Sequence, residues 1–386
     1  MKNFIHAWEI PELTIVASKR LRGFVRKETD GKVLSLSRKI GVHINTLWFF
    51  INHHNKGLPA NKYFELMKEL GVPLDDAERK ISIVRDKHAR RTLNIRFPVR
   101  VTPVLFRLAC HLLGDGTIDE WGRPSFTQNN DRMKYFEKIL SEKLGTTFRA
   151  KVKKDRSFAE IDIPKFLFKV VGTSLGLEIR DFKKASLIRT IKNAPHEFQV
   201  QLVCALVHDE GHIGPRKRRI EISQKDAAVV SEFCNLLDKL NYNHAQPFLF
   251  ERCYKIAFHA DGIRRFYLDV KEAVRRHGWQ AGLWKKQETF EKLGSEAMRG
   301  RLGKASLHVL RKAKMEGIVA INQLKKDSQM MELASGKFDD YIENVCLNLL
   351  RYGYLIRIKR GSYTLSERTP TNIPDLLRTS NALKGL

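Results

Sequence analysis

Two rhythms of hydrophobic residues alternate along this chain, and they do so twice in the same order. Residues 108–116, LACHLLGDG, are apolar for most of their length and then deliver Asp115 and Gly116. Residues 203–211, VCALVHDEG, do the same and deliver Glu210 and Gly211. Each apolar run predicts a buried helix. Short alternating segments follow, SFTQNND and IEISQKD, with the period of a strand. Gln128 lies 13 residues after Asp115, and Gln224 lies 14 after Glu210. Each glutamine precedes an acid, Asp131 or Asp226, placed to cap the next helix. Those helices are predicted at 132–144 and 229–240. Further strands are predicted at 148–152 and 158–163, and at 247–250 and 254–258. Helices at 165–171 and 262–270 close the two halves. The agreement of type, order and spacing predicts an internal repeat, 96–195 and 196–298.

The flanks have a different pattern. Residues 12–90 read as helical: amphipathic runs at 33–40, 44–53 and 61–70 are separated by Gly41 and by Gly57-Leu58-Pro59. Glycine suits the tight turn between two helices, and Pro59 permits the next helix to start. The stretch SRKIGVHINTLWFFINHHNKGLPANKYFELMKELGV resembles the repressor-type helix-turn-helix. That resemblance implies a DNA-binding domain over 1–95. It makes His43, Asn45 and Asn52 candidates for base or phosphate contact. Ile44, Trp48 and Phe49 occupy positions where that family carries polar residues. Residues 299–386 read as helices at 306–316, 321–329 and 339–352, then a hairpin through Arg360-Gly361. This resembles a winged helix, whose tip would bring Lys359 and Arg360 to phosphates.

Charge narrows the partners. The 386 residues contain 70 Lys+Arg against 43 Asp+Glu, a formal charge of +27. Such an excess favours polyanions, nucleic acid first. No apolar run approaches the roughly 20 residues that span a bilayer, and the first residues lack the pattern of a signal peptide. The five cysteines are scattered without a CxxC pair, so zinc knuckles and a disulfide framework are not indicated. A cytoplasmic protein is expected. Arg123, in the first turn, and the run Arg216, Lys217, Arg218 and Arg219, in the second, are candidates for tracking phosphates.

The repeated helix resembles the LAGLIDADG motif of homing endonucleases, and the likeness with its flanks covers about half of the chain. It implies an α+β fold: a pseudosymmetric αββαββα pair with saddle-shaped antiparallel sheets, flanked here by small helical DNA-binding domains. It places Asp115 and Glu210 at the family's metal-binding acids, with Mg²⁺ or Mn²⁺ as cofactor. Gly116 and Gly211 close the motif and let the chain turn sharply. Cys110 and Ala205 fall where small residues let the helices approach. Leu113 and His208 replace a third acid of the written motif, and Asp209 stands where a small residue is usual. Gln128 and Gln224 are expected to orient waters or touch bases, and Lys255 to stabilise transition-state charge. Glu160 stands near the position corresponding to Lys255. His111 and His208 lack further ligands at zinc spacing and read as interface residues.

The function expected is that of a monomeric, free-standing, Mg²⁺-dependent, site-specific double-stranded DNA endonuclease. Two other readings stay open: a non-cleaving DNA-binding transcriptional regulator on the same fold, and an RNA maturase.

Overall fold

A computed structural model describes residues 1–53, 56–86, 91–152, 157–214, 219–298, 304–334, 340–351 and 354–367. Arg216, Lys217 and Arg218 lie outside the described residues, so the structure does not bear on them.

The N-terminal part begins with β1 (Phe4–Ile5) and β2 (Leu13–Val16), then α1 (Lys19–Glu28), α2 (Val33–Lys39) and α3 (Ile44–Asn52). β3 (Gly57–Pro59), α4 (Ala60–Glu69), α5 (Leu74–Arg79), β4 (Ile83–Asp86) and β5 (Leu93–Asn94) follow, and β6 (Val99–Arg100) pairs back to β1. This corrects the helical reading of 12–90. Strands β3-β2-β4-β5 form an antiparallel sheet beside the helices. The expectation missed Leu13–Val16 because four β-prone residues are too short a run to show a period. Gly57-Leu58-Pro59 had read as a plain break, yet it pairs with β2. Gly41 does make the turn before α3, with φ 63°.

The first half of the core runs α6 (Pro103–Cys110), β7 (Gly116–Ile118), β8 (Pro124–Asn129), α7 (Asn130–Leu144), β9 (Lys151–Val152), β10 (Phe158–Asp162), α8 (Lys165–Leu175) and α9 (Ala185–Ile191). The second runs α10 (His196–Asp209), β11 (Gly211–Gly214), β12 (Arg219–Gln224), α11 (Ala227–Lys239), β13 (Phe248–Phe250), β14 (Cys253–Ala257) and α12 (Ala260–His277), with α13 (Gln287–Met298) after it. The sheets have the orders β7-β8-β10-β9 and β11-β12-β14-β13, all antiparallel. Each strand's place in the first sheet is therefore that of its counterpart in the second. Register agrees as well: Gln128 faces Ala159, and Gln224 faces Tyr254. The next pairs are Thr127 with Glu160 and Ser223 with Lys255, so Glu160 and Lys255 hold corresponding positions.

Helices α6 and α10 pack against each other at the centre, with Leu108, Ala109, Cys110, Cys204 and Ala205 fully buried. Around this pair a single apolar cluster runs from Ile5 to Leu293. One capping expectation is corrected. Asn129, not Asp131, caps α7 by accepting from the Arg132 amide, while Asp131 pairs with Lys285 at 2.5 Å. Asp226 caps α11 as expected.

A second apolar cluster lies within 305–363. It is built from α14 (Lys304–Glu316), β15 (Ile318–Ala320), α15 (Ile321–Leu324), α16 (Ser328–Ala334), α17 (Tyr341–Arg351), β16 (Leu355–Lys359) and β17 (Ser362–Leu365). The helix expected at 321–329 is thus two short ones. A third strand, β15, joins the expected hairpin in the order β15-β17-β16. Among the described residues, no helix is long and apolar enough to cross a membrane.

Candidate active site at the paired helix ends

Helix α10 runs to Asp209 and leads directly into β11, whereas α6 stops at Cys110, short of the expected apolar run, and residues 111–115 turn before β7; each acid is the residue just before its strand. The Thr127 amide donates to the Asp115 carbonyl, and the Ser223 amide to the Glu210 carbonyl. Each acid is therefore tied to the strand residue just before its glutamine. Gly116 and Gly211 follow the acids, and neither has a left-handed φ. Space, not turn geometry, demands glycine: a β-carbon would collide with Leu112 at the first and Val207 at the second. The expected sharp-turn role is corrected accordingly.

Both acids are half-buried and both titrate high. Burial pushes Asp115 up to about 7, with the charge of Asp209 adding to it. Burial pushes Glu210 up to about 7, and the charges of Asp115 and Asp209 push the same way. One oxygen of Asp115, Oδ2, is buried without a hydrogen-bond partner.

Three cations that the sequence reading missed converge here. Lys183, in the 3₁₀ turn Ile179–Lys183 after α8, donates to the Gly116 carbonyl at 2.5 Å. Lys286, in the 3₁₀ turn Trp284–Lys286 after α12, donates to the carbonyls of Val207 at 2.9 Å, His208 at 2.6 Å and Gly211 at 2.5 Å. Each lysine lies in a 3₁₀ turn after the helix that follows its half's last strand; Lys286 meets the negative end of α10, while Lys183 meets the start of β7. Burial lowers both lysines; Lys286 falls to about 8, with the charge of Arg132 also lowering it. Arg132 reaches from α7 to Gln128 Oε1 at 3.3 Å and to the His208 carbonyl at 3.5 Å. No shared signal along the chain marks the two lysines: Lys183 is the first lysine of FKK at 182–184, and Lys286 the second of WKK at 284–286.

The other predicted residues divide. Gln128 is buried and holds Arg132. Gln224 instead turns its Oε1 to its own chain, accepting from the Lys225 and Asp226 amides. Lys255 donates to Ser223 Oγ at 2.6 Å and lies 3.7 Å from Glu221, so it is engaged within its sheet. Arg123 is bound to Asp119 at 2.6 Å, and Arg219 to Glu221 at 2.8 Å. Lys359 and Arg360 are exposed at the β16–β17 turn. His43 caps α3, accepting at Nδ1 from the Asn45 amide, and Asn45 is exposed. Asn52 accepts from Arg26 and donates to the Trp48 carbonyl.

Directly beneath the acids lies a buried clasp. Asp209 is hydrogen-bonded to His111 Nδ1 at 2.8 and 3.0 Å and to His208 Nδ1 at 3.0 Å. The Asp115 amide also donates to it. Burial disfavours charge on all three side chains, holding both histidines well below their ordinary range and Asp209 above its own. Trp284 packs beside both imidazoles, and the buried Arg107 guanidinium lies 4.3 Å from the same ring. These histidines and Asp209 bring possible ligand atoms within 4.8 Å of one another. Their spacing is nevertheless that of hydrogen bonds, below the about 3.3 Å between ligands that zinc–nitrogen bonds of about 2.0 Å impose. Each Nε2 is also buried without a partner, whereas a metal-bound imidazole normally donates from its other nitrogen. The interface role expected for both histidines fits this geometry.

The bulk of Asp209 fits because Gly114 lies opposite. A β-carbon on Gly114 would sit 2.6 Å from the β-carbon of Asp209. Gly114→Ala is expected to cost about 1–3 kcal/mol by overpacking. In a thermal-melt double-mutant cycle, Asp209→Gly, which removes the β-carbon in question, is expected to offset part of that cost. Strict additivity would show that the two do not touch.

The raised acids also set a pH dependence. A carboxyl titrating near 7 in the folded state but near 4 when unfolded keeps a proton longer when folded. Stability from these groups is therefore present at low pH and lost as pH rises from about 4 to about 7. Between pH 5 and pH 8 these two acids are expected to lower the melting temperature of metal-free protein, against an opposite contribution from His111 and His208, whose lowered values favour the higher pH. The double variant Asp115→Asn, Glu210→Gln should remove the contribution of the acids; an unchanged dependence on pH would overturn it.

No family model matches the chain, and no curated protein matches it. Among solved structures, the chain is similar to mesophilic variants of the homing endonuclease I-DmoI, with 14% identity, TM-score 0.32, and coverage of 44% of this chain and 96% of that one. I-DmoI in complex with DNA and Ca gives 14% identity and TM-score 0.32, covering 44% and 89%. The N-terminal LAGLIDADG domain of DUF199/WhiA gives 14% identity and TM-score 0.31, covering 43% and 81%. Scores of this size, over less than half of the chain, carry no assignment of fold or function.

Proposed function

We propose that this protein is a divalent-metal-dependent, site-specific double-stranded DNA endonuclease of the LAGLIDADG type, with the two halves of its core related by a pseudo-twofold. The observation that carries this reading is the pair Asp115 and Glu210. Each stands immediately before the first strand of its half, Glu210 at the end of α10 and Asp115 after the turn that follows α6; both are half-buried and pushed to about 7 by burial and by neighbouring carboxylate charge. Two carboxylates held in this way, one with a buried oxygen lacking a partner, suit a hard cation with oxygen ligands. Asp115 and Glu210 would hold Mg²⁺ or Mn²⁺, which supplies charge stabilisation at a phosphate and an activated water.

The chain's own residues prepare that site. Lys183 holds the Gly116 carbonyl beside Asp115, Lys286 holds the end of α10, and both set positive charge beside the acids. That charge favours the ionised carboxylates a cation needs. Gln128 keeps Arg132 turned toward the second helix end. Gln224 and Lys255 have no such placement, so the two halves would contribute unequally. One chain supplies both acids, and a monomer suffices. The excess of 70 basic over 43 acidic residues would draw the duplex to the open sheet faces.

A second reading is a DNA-binding regulator that does not cut. Its support is specific: Lys183, Lys286 and Arg132 already offset the acids without a metal. A randomised duplex library separates the two. Cuts that require Mg²⁺ or Mn²⁺ and both acids support the nuclease. Binding that is indifferent to metal, with no cuts, supports the regulator. RNA of matched length, at matched salt, tests the maturase reading.

A further inference from the structure

Helix α3 is apolar on both sides. Leu47, Phe50 and Ile51 are buried, and the helix packs on α1 and α2. Yet Ile44, Trp48 and Phe49 are 37%, 47% and 38% exposed on its outer side. The rings there are organised: Trp48 lies 5.3 Å from Phe49 and from His53, and Phe49 lies 5.1 Å from His53. Lys56 Nζ stands 5.7 Å from the centre of the Phe49 ring. Arg26 of α1 donates to Asn52 at 2.9 Å, and Asn52 in turn holds the Trp48 carbonyl. The aromatic cluster is thus flanked by cations and braced from its own helix.

This face is badly made for reading base edges. Edge readout needs polar groups aimed outward. His43 Nδ1 is spent on the cap, and both ends of the Asn52 amide are occupied. What the helix offers is ring faces and aliphatic carbon beside positive charge, which is the chemistry that stacks bases and neutralises phosphates. An occupant must then be anionic and must present flat apolar faces. Stacked duplex bases keep their faces covered, whereas unpaired nucleotides do not.

We propose that the outer face of α3 is a stacking platform for unpaired bases of a nucleic-acid strand, with Trp48 and Phe49 as the contacting rings and Arg26 and Lys56 at the phosphates. The proposal rests on the reading that this protein binds nucleic acid, and it adds a single-strand site to the duplex site of the core.

The test uses the full chain and fluorescence anisotropy of three labelled probes at one salt concentration: a 20-mer of thymidine, an abasic strand of the same length, and a 30-base-pair duplex. Wild-type protein should bind the thymidine strand more tightly than the abasic one. The double substitution Trp48→Ala, Phe49→Ala should weaken thymidine-strand binding by about 10-fold or more. It should leave duplex binding within about twofold. Trp48→Phe, which keeps a ring, should retain most of the affinity. Equal binding of the thymidine and abasic strands, or an unchanged affinity in the double variant, overturns the platform while duplex binding upholds the core reading. Loss of duplex binding in the wild type itself would sink the core reading and this proposal with it.

Discussion

Asp115→Asn should lower duplex cleavage on the order of 10³-fold, with duplex affinity changed by less than about threefold. The substitution keeps the shape of the side chain and removes only its charge. The backbone ties of residue 115 are untouched, because they run through its carbonyl to Thr127 and its amide to Asp209. What is lost is the ionisable oxygen that suits a hard cation at the helix end. Glu210→Gln should behave alike, since the charges of Asp115 and Glu210 are felt at one place. Binding of Mn²⁺ by calorimetry provides a readout apart from turnover. Wild-type protein should bind it, and the variant with both acids neutralised should not. Cleavage that persists in Asp115→Asn would remove the paired helix ends from the chemistry. Wild-type protein that binds duplex but never cuts it, in either metal, would leave the regulator.

The second large effect concerns stability. Asp209→Ala is expected to cost about 3 kcal/mol or more by leaving buried polar groups without partners and to lower the melting temperature by roughly 10 °C. Asp209 receives His111, His208 and the Asp115 amide in a place sealed from solvent. Truncation leaves each of those groups buried without a partner, at about 1–3 kcal/mol apiece before relaxation. Asp209→Asn keeps the volume and one acceptor oxygen, so it should cost less than the alanine. Differential scanning calorimetry in the absence of divalent ions makes the comparison cleanly. A change below about 2 °C for the alanine would mean that the clasp contributes little and that the helices are held by apolar packing alone.

Asp209 also shows how far a sequence carries and where it stops. Read along the chain, it is a charged residue where two helices need to come close, and so it looks like a flaw. In the folded protein the space is provided from the other half by Gly114, and the buried carboxyl is hydrogen-bonded to His111 and His208. None of these compensations has a local signature. The same holds for Lys183 and Lys286, which arrive at the acids from turns far along the chain. Lys255, expected to stabilise transition-state charge, is occupied by Ser223 and Glu221 in its own sheet.

The sequence by itself determined the elements of the core. Unbroken apolar runs could only be buried helices, and period-two segments could only be half-covered strands. Their matched recurrence determined that the halves share one strand order. It also determined which acids stand just before the first strand of each half, because an acid and a glycine close each apolar run, although only α10 extends as far as its acid. The tertiary structure alone decided which charges gather there and how each one titrates. Burial and contact across the two helices set those properties, and they join residues that share no period, spacing or neighbourhood along the chain.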